Sequence, residues 1–314
     1  MMRAITNHTG TPEVVDRPAP ILTALQVSVQ VRAVSLNNGD LSSTGAEIAG
    51  FEFSGVVNAI GDAVPAALLG ARVMGIAEQA FAEIVVADHR HVIPVPDALG
   101  WTDAAALPTA VSTEYGALRR AGLIRGDSVL VTAATSGIAL IGLQVARALG
   151  ADVVIGTTRT AERAELLRRA GADEVVVLED DADLADAVRA FTNGAGADVV
   201  LDHVGGAGLA AAVEAARSGG SVVSVGRLAG PTAEIDLFRL ARQRVTLRSV
   251  SYGLTPPEIL GELFAGVSEE LLGAVAAGRV RPIVDRTYAF DDVASAYERL
   301  ASGSAEGKVV LELS

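Results

Sequence analysis

The stretch VLVTAATSGIALIGLQVARALG, residues 129–150, has the pattern of a buried strand, a tight turn and a helix that opens directly from the turn. The apolar run 129–131 is typical of a parallel strand covered on both faces. The turn 132–136 contains nothing larger than threonine, so a ligand can approach its backbone closely. From Gly137 onward apolar residues recur at helical spacing, and the free N–H groups of this helix start face the turn. The unit favours binding of a phosphate group, most commonly a dinucleotide pyrophosphate.

The turn departs from the G-x-G-x-x-G pattern of dinucleotide-binding turns. Ala134, Ser136 and Ala139 occupy the three glycine positions, and Gly137 adjoins the middle one. Alanine is tolerated at the third position, where helix and strand only have to pack closely, whereas Ser136 must be accommodated within the turn itself. The pattern alone leaves two interpretations open, a nucleotide-binding turn and an ordinary strand–helix turn of an α/β protein.

The composition is that of a folded chain with an acidic surface. Its 314 residues are 50% hydrophobic and 20% charged, which is enough material for two domains. The net charge of −13 opposes nucleic-acid and anionic-membrane partners. The absence of cysteine and the presence of only four histidines leave little for a metal site. With no apolar signal core or membrane-spanning run, we expect a cytoplasmic protein.

The pattern of the chain changes near residue 101. Residues 1–100 have short apolar runs separated by glycine, proline and aspartate, which predicts a small β-rich domain. Beyond a predicted helix over 101–118, strands and helices alternate, and such alternation predicts a doubly wound parallel sheet. The further predicted strands cover 152–156, 174–178, 198–201, 221–225 and 308–313, and the helices cover 161–170, 182–191, 208–216, 258–277 and 291–301.

Further segments along nearly the whole chain have a recognisable pattern. They are VRAVSLNNGD at 31–40, GFEFSGVV at 50–57, AAALPTAVSTEYGAL at 104–118, DVVLDHVGG at 198–206, GGSVVSVG at 219–226 and GRVRPIVDRTYAFDDVASAYERL with GKVVLEL within 278–313. Together with the 129–151 stretch they make the chain resemble the medium-chain dehydrogenase/reductase superfamily. The resemblance is to its zinc-independent quinone oxidoreductase and enoyl reductase branch.

The resemblance implies an α/β protein of two domains with a substrate cleft between them. A GroES-like, β-rich catalytic domain would comprise residues 1–103 and 254–314, and a Rossmann domain with a doubly wound parallel sheet would comprise residues 104–253. In zinc-bearing relatives a cysteine and a histidine stand where this chain has Asn37 and Phe51. The resemblance therefore implies an enzyme without metal.

Four residues are candidates for the catalytic site by this resemblance. Asn37 and Asp40 match an N-x-x-D pattern that lines the cleft, and Thr113 matches a threonine beside the nicotinamide. Many members carry a tyrosine two residues after the aspartate, where this chain has Ser42, so Tyr252 is the candidate replacement. Structural alternatives are a turn former for Asn37, a cap for Asp40 and a helix-surface hydroxyl for Thr113. For Tyr252 the alternative is packing.

The predicted cofactor is NADPH. Where NAD-binding chains carry an acidic residue after the second strand, this chain has Arg159, with Arg163 one helical turn on, and arginine suits a 2′-phosphate. Val225 and Gly226 flank the nicotinamide by the resemblance, and Lys308 contacts the pyrophosphate unless it merely begins a strand. The predicted cofactor-binding residues are Thr113, Ala134, Thr135, Ser136, Gly137, Ile138, Thr157, Arg159, Arg163, Val204, Val225, Gly226, Arg227 and Lys308.

Three functions remain open for the chain. The first is reduction of a small quinone or α,β-unsaturated carbonyl compound, and the second is enoyl reduction of a thioester or polyketide intermediate. The third is NADPH binding with little turnover, which the serine at position 42 keeps open. His203 has a reference pKa suited to acid catalysis, but variation at its position among relatives favours a packing role. The apolar alternation of 245–250 predicts a homodimer formed through an edge strand.

Overall fold

The computed structural model describes residues 1–8, 10–42, 45, 47–178, 184–251 and 255–313. The chain forms two compact units. Unit 1 comprises Met1–Thr109, Pro256–Ala276 and Arg281–Ser314, and unit 2 comprises Ala110–Thr255 and Ala277–Val280. The sequence predicts the first boundary after residue 103, whereas in the structure it falls inside a helix. Within the described ranges no helix combines the length and hydropathy needed to cross a bilayer.

The strands follow the predicted order along the chain. They are β1 (Met2–Thr6), β2 (Glu13–Arg17), β3 (Gln26–Leu36), β4 (Glu52–Ile60), β5 (Arg72–Ile76), β6 (Ile84–Asp88), β7 (Val92–Pro94), β8 (Ser128–Val131), β9 (Val153–Thr158), β10 (Glu174–Val177), β11 (Ala197–Asp202), β12 (Ala216–Ser224), β13 (Thr246–Ser249), β14 (Val284–Ala289) and β15 (Lys308–Glu312).

The helices lie mostly in the second half of the chain. They are α1 (Asn38–Ser42), α2 (Trp101–Ala105), α3 (Pro108–Ala121), α4 (Gly137–Ala148), α5 (Ala164–Arg169), α6 (Leu184–Phe191), α7 (Gly208–Ala215), α8 (Leu237–Gln243), α9 (Pro257–Glu270), α10 (Leu272–Ala276) and α11 (Val293–Ala301). Single 3₁₀ turns cover Ala66–Leu68, His89–His91, Ala161–Arg163 and Phe290–Asp292.

Unit 1 is built around a seven-stranded sheet, in which six strands follow the order β14-β15-β3-β4-β5-β7 and the seventh, β6, pairs with β3. The long strand β3 pairs along one edge with β6 in its first half and with β15 in its second half. Its other edge pairs antiparallel with β4. Because β15 is the last strand, the C-terminal tail completes the N-terminal sheet, as the predicted GroES-like domain requires. Alternate residues Val27, Val29 and Val31 of β3 are buried in the unit's core.

Unit 2 is a six-stranded parallel sheet in the order β10-β9-β8-β11-β12-β13. β8 lies inside this sheet. The next two strands along the chain, β9 and β10, follow on one side of β8, and the three after them, β11, β12 and β13, follow on its other side. This order confirms the predicted Rossmann domain, in which ligands bind at the carboxyl ends of the strands where the order reverses. All four residues of β8 are buried, as the unbroken apolar run predicts.

Two predicted helices are each divided in two. The helix predicted over 101–118 ends at Ala105, and a new helix begins at Pro108 because proline is favoured at a first helical position and disrupts a helix interior. Gly100 is the N-cap residue of the first of these. The helix predicted over 258–277 is interrupted at Leu271.

Gly226, which follows β12, is a position where the fold requires glycine. A Cβ added there would overlap the carbonyl oxygen of His203 and would lie 2.9 Å from the carbonyl carbon of that residue. Both neighbours are backbone atoms, so relief requires the whole segment to move. Gly273 in α10 is the matched control, since a Cβ added there meets nothing within 4 Å.

We expect Gly226→Ala to lower the free energy of unfolding by about 2 kcal/mol or more, because overpacking strains the backbone. Gly273→Ala should leave stability unchanged or raise it by up to about 1 kcal/mol through helix propensity. Thermal unfolding of the two variants beside the wild type measures both effects. Equal unfolding midpoints for the two variants would contradict the close approach at Gly226.

Candidate functional site

The turn after β8 is held by the neighbouring strand β9. The N–H of Ala133 donates to Thr157 Oγ1 at 3.0 Å, and the N–H of Ala134 donates to the Thr157 carbonyl oxygen at 2.9 Å. Ala133 has a φ of 45°, a left-handed conformation that a residue with a Cβ adopts only where its surroundings enforce it. Thr157 is buried, and its hydroxyl accepts this bond from the turn.

Ser136 is accommodated in the turn as the N-cap of α4. Its backbone is extended, with φ −72° and ψ 151°, and its Oγ accepts a bond from the N–H of Ala139 at 3.3 Å. A serine at this position therefore needs no glycine-like conformation, and its hydroxyl accepts a hydrogen bond from one of the free N–H groups at the start of the helix. The N–H groups of Gly137 and Ile138 belong to the first turn and have no acceptor within the helix. They are the donors that this turn offers to an anion.

Asp202, at the end of β11, forms hydrogen bonds with two segments that contain predicted cofactor-binding residues. Its carboxylate accepts bonds from the N–H groups of Val204, at 3.1 Å, and Gly205, at 3.0 Å. Its backbone carbonyl accepts from the N–H groups of Val225, at 2.7 Å, and Gly226, at 3.0 Å. The loops that follow β11 and β12 are thus fixed to one fully buried residue.

The structure brings most of the predicted cofactor residues to the carboxyl ends of the strands in unit 2. Thr135, Ser136, Gly137, Ile138, Val204, Val225 and Gly226 are partly exposed there and Arg227 is exposed, whereas Ala134 is fully buried. Arg159 follows β9 and is exposed, and in the described part of the chain no acceptor occupies its guanidinium. Arg163 is the residue that precedes α5. An anion beside the end of β9 can therefore be bound by Arg159.

The centre of unit 1 holds a buried ion pair between Glu52 and Lys308. The Lys308 ammonium donates to Glu52 Oε1 and to Asn37 Oδ1, both at 2.6 Å. Asn37 Nδ2 donates to Glu52 Oε1 at 2.8 Å, and the N–H of Thr109 donates to Glu52 Oε2 at 2.9 Å. Because Thr109 lies in the first turn of α3, the Glu52 carboxylate also interacts favourably with the positive end of this helix.

These contacts determine how the Asn37 amide is oriented. An ammonium has no acceptor and an ionised carboxylate has no donor. The Asn37 carbonyl oxygen must therefore face Lys308, and its NH₂ group must face Glu52. One N–H of Asn37 is left over, and Asn37 is partly exposed. The network presents a single, oriented hydrogen-bond donor.

Asp40 is fully buried beside this network. Burial raises its pKa to about 7, against the opposing effects of the bond from the Asn37 N–H, at 2.6 Å, and of the Lys308 charge. The folded protein therefore holds a proton on this carboxyl group below about pH 7 and releases it as the pH rises through that value. Burial, with a contribution from the Asp40 charge, also raises the pKa of the Tyr297 phenol.

The other candidate residues are placed as follows. Thr113 is partly exposed on α3, and Ser42 ends α1, where its hydroxyl donates to the Gly39 carbonyl at 3.1 Å. Tyr252 lies outside the described residues. Lys308 is buried, and its two observed bonds are internal to unit 1, so the assignment of Lys308 to a pyrophosphate stays a prediction.

Three fully buried acids that organise these sites were not singled out from the sequence. They are Glu52, Glu114 and Asp202. Each stands in a segment made mostly of apolar or small residues, namely GFEFSGVV, AVSTEYGAL and DVVLDHVGG. An acid in such a segment, once buried, must be met by donors. The sequence therefore indicates that these acids need hydrogen-bond donors, but it does not identify the residues that supply them.

Two family models match the chain. The model of the alcohol dehydrogenase GroES-like domain matches residues 23–97, and the model of the zinc-binding dehydrogenase matches residues 137–266.

Solved structures resemble the chain over its whole length. A mycobacterial quinone oxidoreductase is 31% identical over 99% of this chain and 100% of that one, with a TM-score of 0.88. A mycobacterial protein complexed with NADPH has the same identity and coverage and a TM-score of 0.86. A quinone oxidoreductase of Pseudomonas syringae pv. tomato is 26% identical, covers 99% of this chain and 100% of its own, and has a TM-score of 0.84.

The curated relatives are much longer proteins. A spectinabilin polyketide synthase system protein of Streptomyces orinoci is 32% identical over 92% of this chain, which spans 13% of that protein. An erythronolide synthase of Saccharopolyspora erythraea is 32% identical over 98% of this chain, which spans 9% of that protein.

One of the two matching families is that of zinc-binding dehydrogenases, but the residues of unit 1 do not fit a zinc ion. An amide oxygen and a phenyl ring, at Asn37 and Phe51, stand at the positions where zinc-bearing relatives have ligands. The Lys308 ammonium is bound to the same amide, and its positive charge opposes a dication there. In the described ranges no group of three or more histidine, cysteine, aspartate or glutamate side chains could hold a metal.

The pKa of Asp40 predicts a pH dependence of stability. Between about pH 4 and pH 7 the folded state binds a proton at Asp40 that the unfolded state has released, so stability falls as pH rises through this window. By pH 8 the loss is on the order of 4 kcal/mol. Asp40→Asn keeps an acceptor for the Asn37 N–H and carries no charge, so it should be more stable than the wild type at pH 8.

Thermal unfolding midpoints from pH 5.5 to pH 8.5 measure this difference. The advantage of Asp40→Asn should shrink toward the acid end of the series. Asp97→Asn, which removes an exposed aspartate of the same unit, controls for the loss of one negative charge. A difference between Asp40→Asn and wild type that stays constant over this range would contradict a neutral, buried Asp40.

Proposed function

Because the chain belongs to the medium-chain dehydrogenase/reductase superfamily, in its quinone oxidoreductase and enoyl reductase branch, we propose that this oxidoreductase reduces a quinone or an α,β-unsaturated carbonyl compound with NADPH. NADPH, when bound, supplies a hydride to the electrophilic carbon of the substrate. The observation that carries the proposal is the single oriented N–H of Asn37, which can bind a carbonyl oxygen without a metal.

The residues of unit 2 fit a phosphorylated dinucleotide. The small turn after β8 leaves its backbone accessible, and the N–H groups of Gly137 and Ile138 are suited to the pyrophosphate. Arg159, exposed and with its guanidinium unoccupied in the described part of the chain, suits a 2′-phosphate. NADPH in the complex of a mycobacterial relative supports this choice of cofactor.

In unit 1, Asn37 acts on the carbonyl oxygen of the substrate. Negative charge develops on this oxygen as hydride reaches the conjugated carbon, and a donor already held in position stabilises that charge. Lys308 and Glu52 act through Asn37, because they fix which end of its amide is presented. The proton that completes the reduction comes from a side chain or from water, and Tyr252 is the candidate side chain.

A second substrate class is favoured by the curated relatives. Several of them are named as polyketide synthases, and their identity to this chain extends over more than nine-tenths of its length. An enoyl thioester or a polyketide intermediate has the same conjugated carbonyl, so the same donor would serve it. We therefore keep enoyl reduction of a thioester as the alternative activity.

Consumption of NADPH with a panel of quinones, enones and crotonyl or longer enoyl thioesters tests the proposal. Arg159→Ala should raise the KM for NADPH by about 10-fold or more, because a charge-assisted contact is lost, and should leave the KM for NADH unchanged. Asn37→Ala should instead lower kcat by about 100-fold. The two variants control for each other. Binding of NADPH without reduction of any of these compounds would contradict the proposal.

We also propose a homodimer formed through β13. This strand is the edge of the sheet in unit 2, and all four of its residues are exposed, which leaves one side of its backbone free to pair. Nearby, Leu237 and Phe238 at the start of α8 are 73% and 78% exposed. A two-fold axis through β13 would pair the strand antiparallel with its own copy, residue i with residue j and residue j with residue i.

Sedimentation velocity should show wild-type particles of about twice 32.0 kDa. Leu247→Asp should shift them toward monomer, because the paired edges would have to take in a carboxylate from each copy in place of an apolar side chain. Phe191→Asp is the matched control, since Phe191 is 36% exposed and Leu247 37% exposed. A monomeric wild type at working concentration would rule out this dimer.

A further inference from the structure

Unit 2 contains a buried ion pair that the proposed reaction does not use. Glu114 of α3 is fully buried, and the side chain of His203, in the loop after β11, is 5% exposed. His203 Nε2 lies 3.3 Å from Glu114 Oε1. In the described part of the chain these two atoms and Glu114 Oε2 are buried and make no hydrogen bond, so the contact between the two side chains is an ion pair only. Each group is therefore the main compensation for the charge of the other.

The fold makes room for this pair with a glycine. A Cβ added to Gly142, in the middle of α4, would overlap Glu114 Oε2 and would lie 3.0 Å from Glu114 Cδ. A glycine inside a helix costs up to about 1 kcal/mol relative to alanine. Gly142 is thus the third member of an arrangement that brings α3, α4 and the loop after β11 together around two ionisable groups.

The pair joins two segments that carry candidate cofactor contacts, one of them Thr113, the candidate contact to the nicotinamide. Glu114 directly follows Thr113, and His203 directly precedes Val204. The backbone N–H of His203 also donates to Thr132 Oγ1, at 2.9 Å, at the start of the phosphate-binding turn. A change at His203 therefore affects both the turn after β8 and the loop after β11.

We propose that Glu114 and His203 are positioning residues which, as an ion pair, hold the nicotinamide end of the cofactor site in its binding geometry. The proposal rests on the assignment of the nucleotide site to unit 2. When His203 loses its proton, Glu114 is left as an unpaired buried charge, and the two segments lose the interaction that holds them. Cofactor affinity should therefore fall as the solution becomes alkaline.

The environment of His203 favours its protonated form. Burial by itself lowers the pKa of the imidazole, but the Glu114 carboxylate and the nearby Asp202 carboxylate more than offset this, and the net shift is upward. These two acids are the charged groups that act on His203 in the described part of the chain. Protonated His203 contributes fully to the free energy of unfolding below about pH 6.5. This contribution is lost as the pH rises through the higher pKa of His203 in the folded state.

Nitrogen NMR of histidine-labelled protein tests the pair directly, since the chain has only four histidines. The imidazole of His203 should stay protonated on both nitrogens above about pH 6.5, the reference value for histidine, and this signal should be lost in Glu114→Gln. Saturation with NADPH should raise the pH at which this imidazole titrates. Ordinary titration of all four histidines would overturn the proposal.

NADPH titrations from pH 7.5 to pH 10 supply the functional readout, because the 2′-phosphate is already ionised throughout this range. The wild-type Kd should rise by about 5-fold or more. By reciprocity, a 5-fold effect means an NADPH-induced increase of about 0.7 in the titration midpoint of His203. Glu114→Gln should bind weakly with a flat profile, whereas His91→Asn, in unit 1, should keep the wild-type profile.

The pair of substitutions Glu114→Ala and Gly142→Ala separates positioning from packing. Gly142→Ala should destabilise the wild type but stabilise Glu114→Ala, because the methyl group then fills the vacated space. The double variant should regain thermal stability without the pH dependence of NADPH affinity. If the double variant also regains the pH dependence of NADPH affinity, Glu114 and His203 contribute only packing and the proposal is wrong. A wild type that binds neither NADPH nor NADH at any pH would instead refute the proposed function.

Discussion

A buried carboxylate must be met by donors, and this requirement organises both units. Glu52 is fully buried and accepts bonds from Asn37, Lys308 and Thr109. These donors come from the end of β3, the start of β15 and the start of α3, so one side chain relates three segments that are distant in sequence. Asp202 does the same in unit 2, where it joins the loops after β11 and β12. The candidate sites are built around these two acids.

The order of the elements was largely predictable, because hydrophobic pattern is a local property. The apolar run of β8, the small residues that follow it and the helical spacing after Gly137 together predict a strand, a turn and a helix, and the structure contains all three. Small local effects account for the errors. Pro108 starts a helix where an unbroken one was predicted, since the apolar spacing continues across it.

The polar network of unit 1 was only half predictable. Asn37 and Asp40 are candidates through the family resemblance, but the partner of Glu52 lies 256 residues along the chain, and no local pattern connects Glu52 to Lys308. An acid in a strand and a lysine at the start of another strand each have an ordinary surface interpretation. The two side chains come together because β3 pairs antiparallel with β15 on one edge and with β4 on the other. The role of Lys308 depends on topology, which sequence spacing does not encode.

The oriented amide of Asn37 also limits what the site can distinguish. A single N–H donor requires an acceptor atom, and the carbonyl oxygens of quinones, enones and acyl thioesters all provide one. In the proposed role, the donor selects compounds with a carbonyl oxygen over simple alkenes, but it treats these three classes alike. Discrimination among them must come from residues that contact the rest of the substrate, since a difference in affinity requires a contact that differs. Reaction type and substrate identity are thus determined by different parts of the chain.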